Sequence, residues 1–278
     1  MALDILDAQA HIFMTIGMDQ ALACMDALGI NSVLIDEVWT IEPDGHSTPC
    51  ALLPGGIKRP LSPMAEAASL KYPGRFAYVQ RLDRRDPDLA ALFVTLAASP
   101  GCRSVRIDLR LPEEREVFKA GGFDELLKLA EHHGLPVSVL GRDVGMTLAG
   151  TVTRLGGVRF IIDHCGSTRS PQQWEDILAL GRHENIWMKW SAAQHTWGGE
   201  YPFPEIQRQF CRAVDAFGID HLMWATDFTQ NQTGNCWADL LYYLRDSDIM
   251  SATDKEWFFA RSARTLLEWP SLAPPQAP

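Results

Sequence analysis

The strongest constraint on this chain is an alternation that runs from end to end. Short apolar runs and amphipathic helical stretches follow each other eight times. The strands expected from it are Leu3–Gln9, Ser32–Glu37, Phe76–Arg81, Cys102–Asp108, Pro136–Leu140, Val158–Asp163, Ile186–Trp190 and His221–Thr226. Between and after them fall expected helices at Asp19–Leu28, Pro63–Lys71, Pro87–Ala98, Phe123–His132, Val144–Leu155, Pro171–Leu180, Glu205–Phe217, Trp237–Leu244 and Asp254–Leu267. Strands that alternate with helices imply a parallel sheet, and eight of them imply closure into a (β/α)8 TIM barrel. A chain of 278 residues suits one such barrel. No repeat or low-complexity linker divides it, so residues 1–270 read as a single α/β domain. The Pro- and Ala-rich stretch 271–278 reads as a mobile C-terminal tail.

Loop lengths give that barrel a working face. The helix-to-strand turns are tight and carry glycine, as in Gly29-Ile30-Asn31, His133-Gly134-Leu135, Gly156-Gly157 and Gly218-Ile219-Asp220. Several strand-to-helix connections are long instead. Residues 39–62 hold four Pro and three Gly, 192–204 carry aromatics, and 228–236 are polar. Long irregular loops are uncommon without a function, and these three lie on the face where barrel enzymes build their sites.

Composition excludes several classes. The net charge of −10 argues against nucleic acid, whose phosphates need a basic face. No apolar run reaches the length of a membrane span. The opening residues lack a basic stretch followed by an apolar one, so no signal peptide is expected. The six cysteines show no Cys-x-x-Cys spacing, which fits reduced thiols in the cytoplasm. Cys165, although beside a histidine of interest, reads better as a small buried hydrophobe than as a nucleophile.

Three strands end in ionisable residues. Strand one closes on Asp7-Ala8-Gln9-Ala10-His11, strand six on Ile162-Asp163-His164-Cys165-Gly166, and strand eight on Ala225-Thr226-Asp227-Phe228. Alternation along a strand places Asp7, Gln9 and His11 on one side. A lone His11 would read as a satisfied core histidine. Its joint occurrence with His164 and Asp227 at three strand ends favours a catalytic group. Arg81, Arg106 and Lys189 are the candidate cations for an anionic substrate, although Arg106 could equally pair with Asp108 along its own strand. His46 and His195 stand in the long loops as second-rank candidates. Trp39, Trp190, Trp197 and Trp224 suit an aromatic pocket or ordinary core equally well.

These residues carry a resemblance to the amidohydrolase superfamily, in the branch of decarboxylases and small-ring lactonases. The Asp-x-His-x-His motif of strand one stands here as Asp7-Ala8-Gln9-Ala10-His11, followed in order by the strand-six histidine His164, the strand-seven pattern Asn185–Ser191 and the strand-eight aspartate Asp227. The resemblance implies a soluble hydrolase of a small carboxylated or aromatic substrate. Two departures bear on metal. Gln9 replaces the first histidine, and strand five, Leu135–Gly141, offers neither the histidine nor the lysine that commonly ligates there. If metal is present, its ligands are His11, His164 and Asp227, holding Zn or Mn. The reading favoured is a site with no obligatory cofactor.

The resulting expectation is a lactone or ester hydrolase in which Asp227 draws a proton from water while His11 and His164 polarise the carbonyl. Gln9, Arg81, Arg106, Lys189, His195 and Trp224 then bind a lactone or carboxylate substrate. Two alternatives stand beside it: a Zn- or Mn-dependent decarboxylase or hydratase, and a degenerate barrel that binds a ligand without converting it. Barrel enzymes in general suggest a homodimer.

Overall fold

The computed structural model describes residues 3–14, 16–42, 45–228 and 234–272. Its strands are β1 (Leu6–Ala10), β2 (Ser32–Asp36), β3 (Phe76–Arg81), β4 (Cys102–Leu109), β5 (Val137–Gly141), β6 (Phe160–Ile162), β7 (Ile186–Trp190) and β8 (Leu222–Trp224). They lie in that order in one eight-stranded parallel sheet. A parallel bridge between Ala10 and Phe228 brings the last strand back to the first and closes the barrel. Gly29 stops Met18–Leu28 with a left-handed cap at φ 74°, whereas Gly218 after Pro204–Phe217 combines φ 78° with an extended ψ of 149°.

Several elements differ from the sequence expectation, among them the following. An extra helix, Pro112–Lys119, follows β4. The long connection after β2 contains two antiparallel hairpins, Thr40–Glu42 with Gly45–Ser47 and Cys50–Leu53 with Ile57–Pro60. The closing helix widens into a π-turn at Trp257–Arg261. The tail 273–278 lies outside the described residues; ahead of it, Ser271 donates to Asp4 at 3.0 Å. Among the described residues no helix is long and apolar enough to cross a membrane.

Each strand has two faces with different fillings. Val33, Ile35, Val105, Ile107, Val137, Val139, Phe160 and Ile162 pack outward against the helices. The inward residues at the strand starts are also apolar: Leu6, Ala8, Leu34, Ala77, Val79, Ile161 and Met223. Ala263, Leu266, Leu267 and Trp269, from the closing helix and the residues after it, join this inner group and seal that end of the barrel. One step further along the same strands, the inward positions become charged.

Candidate active site

Strand one does not alternate simply. Its pairing runs Leu6 with Ser32 and Asp7 with Val33, then resumes at Ala10 with Ile35, so an extra residue is accommodated between. Asp7 therefore does not share a side with Gln9 and His11, contrary to the alternation argument. Its carboxylate accepts from the Thr226 amide and from the Trp237 indole, at 3.0 and 2.9 Å. Burial pushes its pKa up to about 6, against these hydrogen bonds. The bulge lets Gln9 and His11 reach Asp227 past the end of strand eight.

The three residues expected to converge do so. His11 Nε2 is 2.8 Å from Asp227 Oδ1, and His164 Nε2 is 3.7 Å from the same oxygen. His11 Nδ1 faces the Asp36 carbonyl at 2.7 Å. Both ring nitrogens of His11 thus face oxygens. His164 is held differently. The Arg106 guanidinium donates to its Nε2 at 3.2 Å, which leaves Nδ1 as the donor to Ser191 Oγ at 2.9 Å. Burial lowers the His164 pKa. His164 and Asp227 both have positive φ, 53° and 58°, so the chain turns sharply where it presents them.

A chain of buried charges surrounds this trio. Arg81 grips Asp36 through Nε at 2.8 Å and through Nη2. Arg106 bridges Asp36 and Asp163, reaching the latter at 2.7 Å. Lys189 stands 3.0 Å from Asp163 and donates to Gln9 Oε1 at 3.0 Å and Ser138 Oγ at 3.2 Å. Gln9 Nε2 then returns to Asp227 Oδ1 at 3.3 Å. Burial raises the carboxylate pKa values, but neighbouring cations outweigh it. Arg106 and Arg81 hold Asp36 well below the usual range, and Arg106 and Lys189 hold Asp163 below it. Asp227 is likewise held down, against burial, by His164, His11 and Arg106.

The other expected residues fall in several places. Arg106 and Lys189 are within 2% of full burial and committed to internal carboxylates, so neither offers an unpaired charge to substrate. Arg106 does not pair with Asp108, whose carboxylate instead holds Arg110 at 2.9 Å. Arg81 keeps 12% of its side chain exposed. His195 is exposed on a short helix, Ala193–Trp197, and makes no hydrogen bond or ion pair with the cluster among the described residues. Trp224 points to the helix side, where its indole donates to the Leu240 carbonyl at 3.0 Å and its ring meets Phe259. Trp190 and Trp197 stack beneath the loop after β7 as core, and Trp39 is exposed. The side chain of His46 lies outside the described residues.

Sequence reasoning missed Asp36, Asp163, Ser138 and Ser191. Asp36 and Asp163 carried a signal, since each directly follows an apolar run, Val33–Ile35 and Phe160–Ile162. Ser138 and Ser191 carried none, because a serine in a strand is unremarkable without knowing its neighbour.

The donor set as arranged does not fit a divalent ion. The His164 nitrogen that would ligate accepts from a guanidinium, and the Gln9 oxygen accepts from an ammonium. Among the described residues no group of three His, Cys, Asp or Glu side chains is arranged to hold a metal.

Comparison with solved structures places the fold among known barrels. An amidohydrolase from Burkholderia multivorans with bound zinc superposes with a TM-score of 0.79 at 15% identity, covering 96% of this chain and 100% of that one. A probable 2-pyrone-4,6-dicarboxylic acid hydrolase from Acinetobacter baumannii, with citric acid bound, gives 0.73 at 15% identity over 96% and 100% of the two chains. 5-carboxyvanillate decarboxylase from Sphingomonas paucimobilis gives 0.66 at 12% identity over 97% and 100%. No curated protein matches the chain. Residues 56–269, well over half of the sequence, match the family described as amidohydrolase, and the chain belongs to that family.

Proposed function

We propose that the protein is a hydrolase that opens a lactone or related activated ester of a small carboxylated substrate, without obligatory metal. The observation that carries this reading is the meeting of His11, His164 and Asp227 at the strand ends, with Arg106 seated on the His164 nitrogen.

Asp227 takes a proton from water as the water oxygen bonds to the acyl carbon. The acyl–oxygen bond then breaks, and the proton passes from Asp227 to the departing oxygen. His11 Nε2, 2.8 Å from Asp227 Oδ1, holds that base in place through these steps. A carboxylate held below its usual pKa is a weak base, so the substrate must bring a good leaving group; an activated ester or lactone meets that demand and an amide does not.

A substrate carboxylate needs a cation at the mouth. Arg81 is partly exposed there. Arg142 and Arg169 follow β5 and β6 on the same face, are exposed, and have no side-chain partner among the described residues. The neighbour named as a pyrone-dicarboxylic acid hydrolase, with citrate bound, supports a carboxylated lactone. The zinc-bound neighbour and the decarboxylase support the other branch, in which His11, His164 and Asp227 hold Zn or Mn.

Turnover of a panel of aromatic and sugar-acid lactones, carboxylated esters and aromatic carboxylates separates the two. Chelator-treated enzyme is expected to hydrolyse a lactone or ester, and Asp227→Asn to lose about a thousandfold in kcat/KM or more. Activity that vanishes on chelation and returns with zinc defeats the metal-free reading. Carbon dioxide release from a carboxylate substitutes the decarboxylase. Binding without conversion across the panel leaves the degenerate barrel.

A further inference from the structure

We infer that Arg106 is the resident cation of this site, a side chain that excludes a divalent ion by occupying the electrostatic position such an ion would take. This rests on the metal-free reading above and assigns the residue responsible for it.

Five contacts carry the assignment. Arg106 Nη2 lies 3.2 Å from His164 Nε2 and donates into the one lone pair through which that ring could ligate. The same guanidinium bridges the buried carboxylates Asp36 and Asp163. Those two carboxylates belong to strands on either side of it, β2 and the end of β6, so the guanidinium is held from both sides with almost no solvent contact. A second cation, Lys189, closes off Gln9 Oε1 and Ser138 Oγ, the oxygens nearest to becoming ligands from β1 and β5. Bringing a dication to His11, His164 and Asp227 would set two positive charges against the guanidinium at contact distance in a largely water-free interior. That repulsion opposes binding far more than it would in water.

The geometry also shows what removal would release. Without the guanidinium, His164 Nε2 has a bare lone pair, Asp227 keeps its carboxylate, and His11 can turn one nitrogen from hydrogen bonding to ligation. Two imidazoles and a carboxylate with an open fourth position are a zinc donor set. The arginine therefore accounts for the difference between a chain that has most of a metal site and a chain arranged as if it had none.

The test is zinc titration by calorimetry, with zinc content per chain after dialysis, on the wild-type protein and on Arg106→Met. Circular dichroism and a thermal melt run alongside to show that the variant is folded. The expected result is no stoichiometric uptake by the wild type and about one zinc per chain in Arg106→Met, bound about a hundredfold tighter or more. The gained zinc should be lost again in Arg106→Met/His164→Ala. Arg106→Met that is folded and binds zinc no better than the wild type overturns the inference and leaves the metal-free turnover reading standing. Wild-type protein that takes up one zinc through His164 overturns both. A measurement on the wild type alone covers the case in which Arg106→Met does not fold. Nitrogen chemical shifts of His164 at neutral pH should show Nδ1 protonated and Nε2 bare, as an arginine donor requires. A protonated Nε2 there overturns the assignment.

Discussion

The barrel interior has two storeys built on the same strands. On the lower one stand Leu34, Val79, Ile161 and Met223; two positions further along β2, β3 and β6, and four further along from Met223 past the end of β8, come Asp36, Arg81, Asp163 and Asp227. The difference in chemistry is total, but the two storeys depend on each other. The lower one is dry and capped by the closing helix, so no water approaches the charges from beneath. Charges above a dry floor interact strongly, and for that reason each must be matched. Asp36 and Asp163 share Arg106, and Lys189 serves Asp163 and Gln9. Such a network contributes less to stability than its number of ion pairs suggests, because each ion loses hydration on burial. What it does supply is a fixed position for His164 and Gln9 around Asp227.

Breaking the upper storey should therefore cost more than trimming the lower one. The largest expected effect on the fold comes from Lys189→Met. It leaves Asp163 with Arg106 alone and takes the donor from Gln9 Oε1, in a position with no exposure. Loss of one partner from a buried pair costs about 3–5 kcal/mol, read from denaturant unfolding. A cost under about 1 kcal/mol would mean that water reaches this storey and that the division drawn here is false.

The next effect sharpens the comparison by pH. Asp7 is a buried carboxylate whose hydrogen-bond donors are neutral, because the β1 bulge turns it away from the inner network toward Thr226 and Trp237. Its pKa is raised from 3.8 to about 6, whereas Asp36, Asp163 and Asp227 are lowered. The signs are opposite. Folded protein keeps the Asp7 proton longer than unfolded chain does, so its contribution is complete below about pH 4 and lost as pH rises through 6. The three lowered carboxylates contribute above the usual carboxylate range and lose that contribution as pH falls. Asp7→Asn removes the first component alone. The stability of Asp7→Asn minus that of the wild type should rise by about 2 kcal/mol between pH 4 and 7. Parallel profiles would show that Asp7 titrates normally.

The lower storey was easier to read from sequence than the upper one. An apolar strand of period two announces its buried faces, and eight such strands with helices between them leave few topologies. The trio was legible for a related reason: a polar residue ending an apolar strand is conspicuous. His11, His164 and Asp227 were found that way. The network behind them was not, because partners on different strands depend on register and on the reach of long side chains. Arg106 shows this well. Sequence places it two residues from Asp108 on one strand, yet its guanidinium crosses to Asp36 and Asp163. The bulge that separates Asp7 from Gln9 is likewise invisible to a rule of strict alternation.

The smallest effect tests the floor. Ile161 precedes Asp163 by two residues and has no exposure. Ile161→Val removes one methylene from a packed apolar group that carries no charge. The expected cost is about 0.5–1.5 kcal/mol, set by lost contact and a small cavity. Because Ile161 belongs to the apolar inner cluster, the cost should be the same at pH 5 and pH 8, and kcat/KM should change less than about twofold. A cost that grows with falling pH would mean that loosening the floor admits water to Asp163. The lower storey would then set the dielectric of the site, beyond its part in holding the barrel closed.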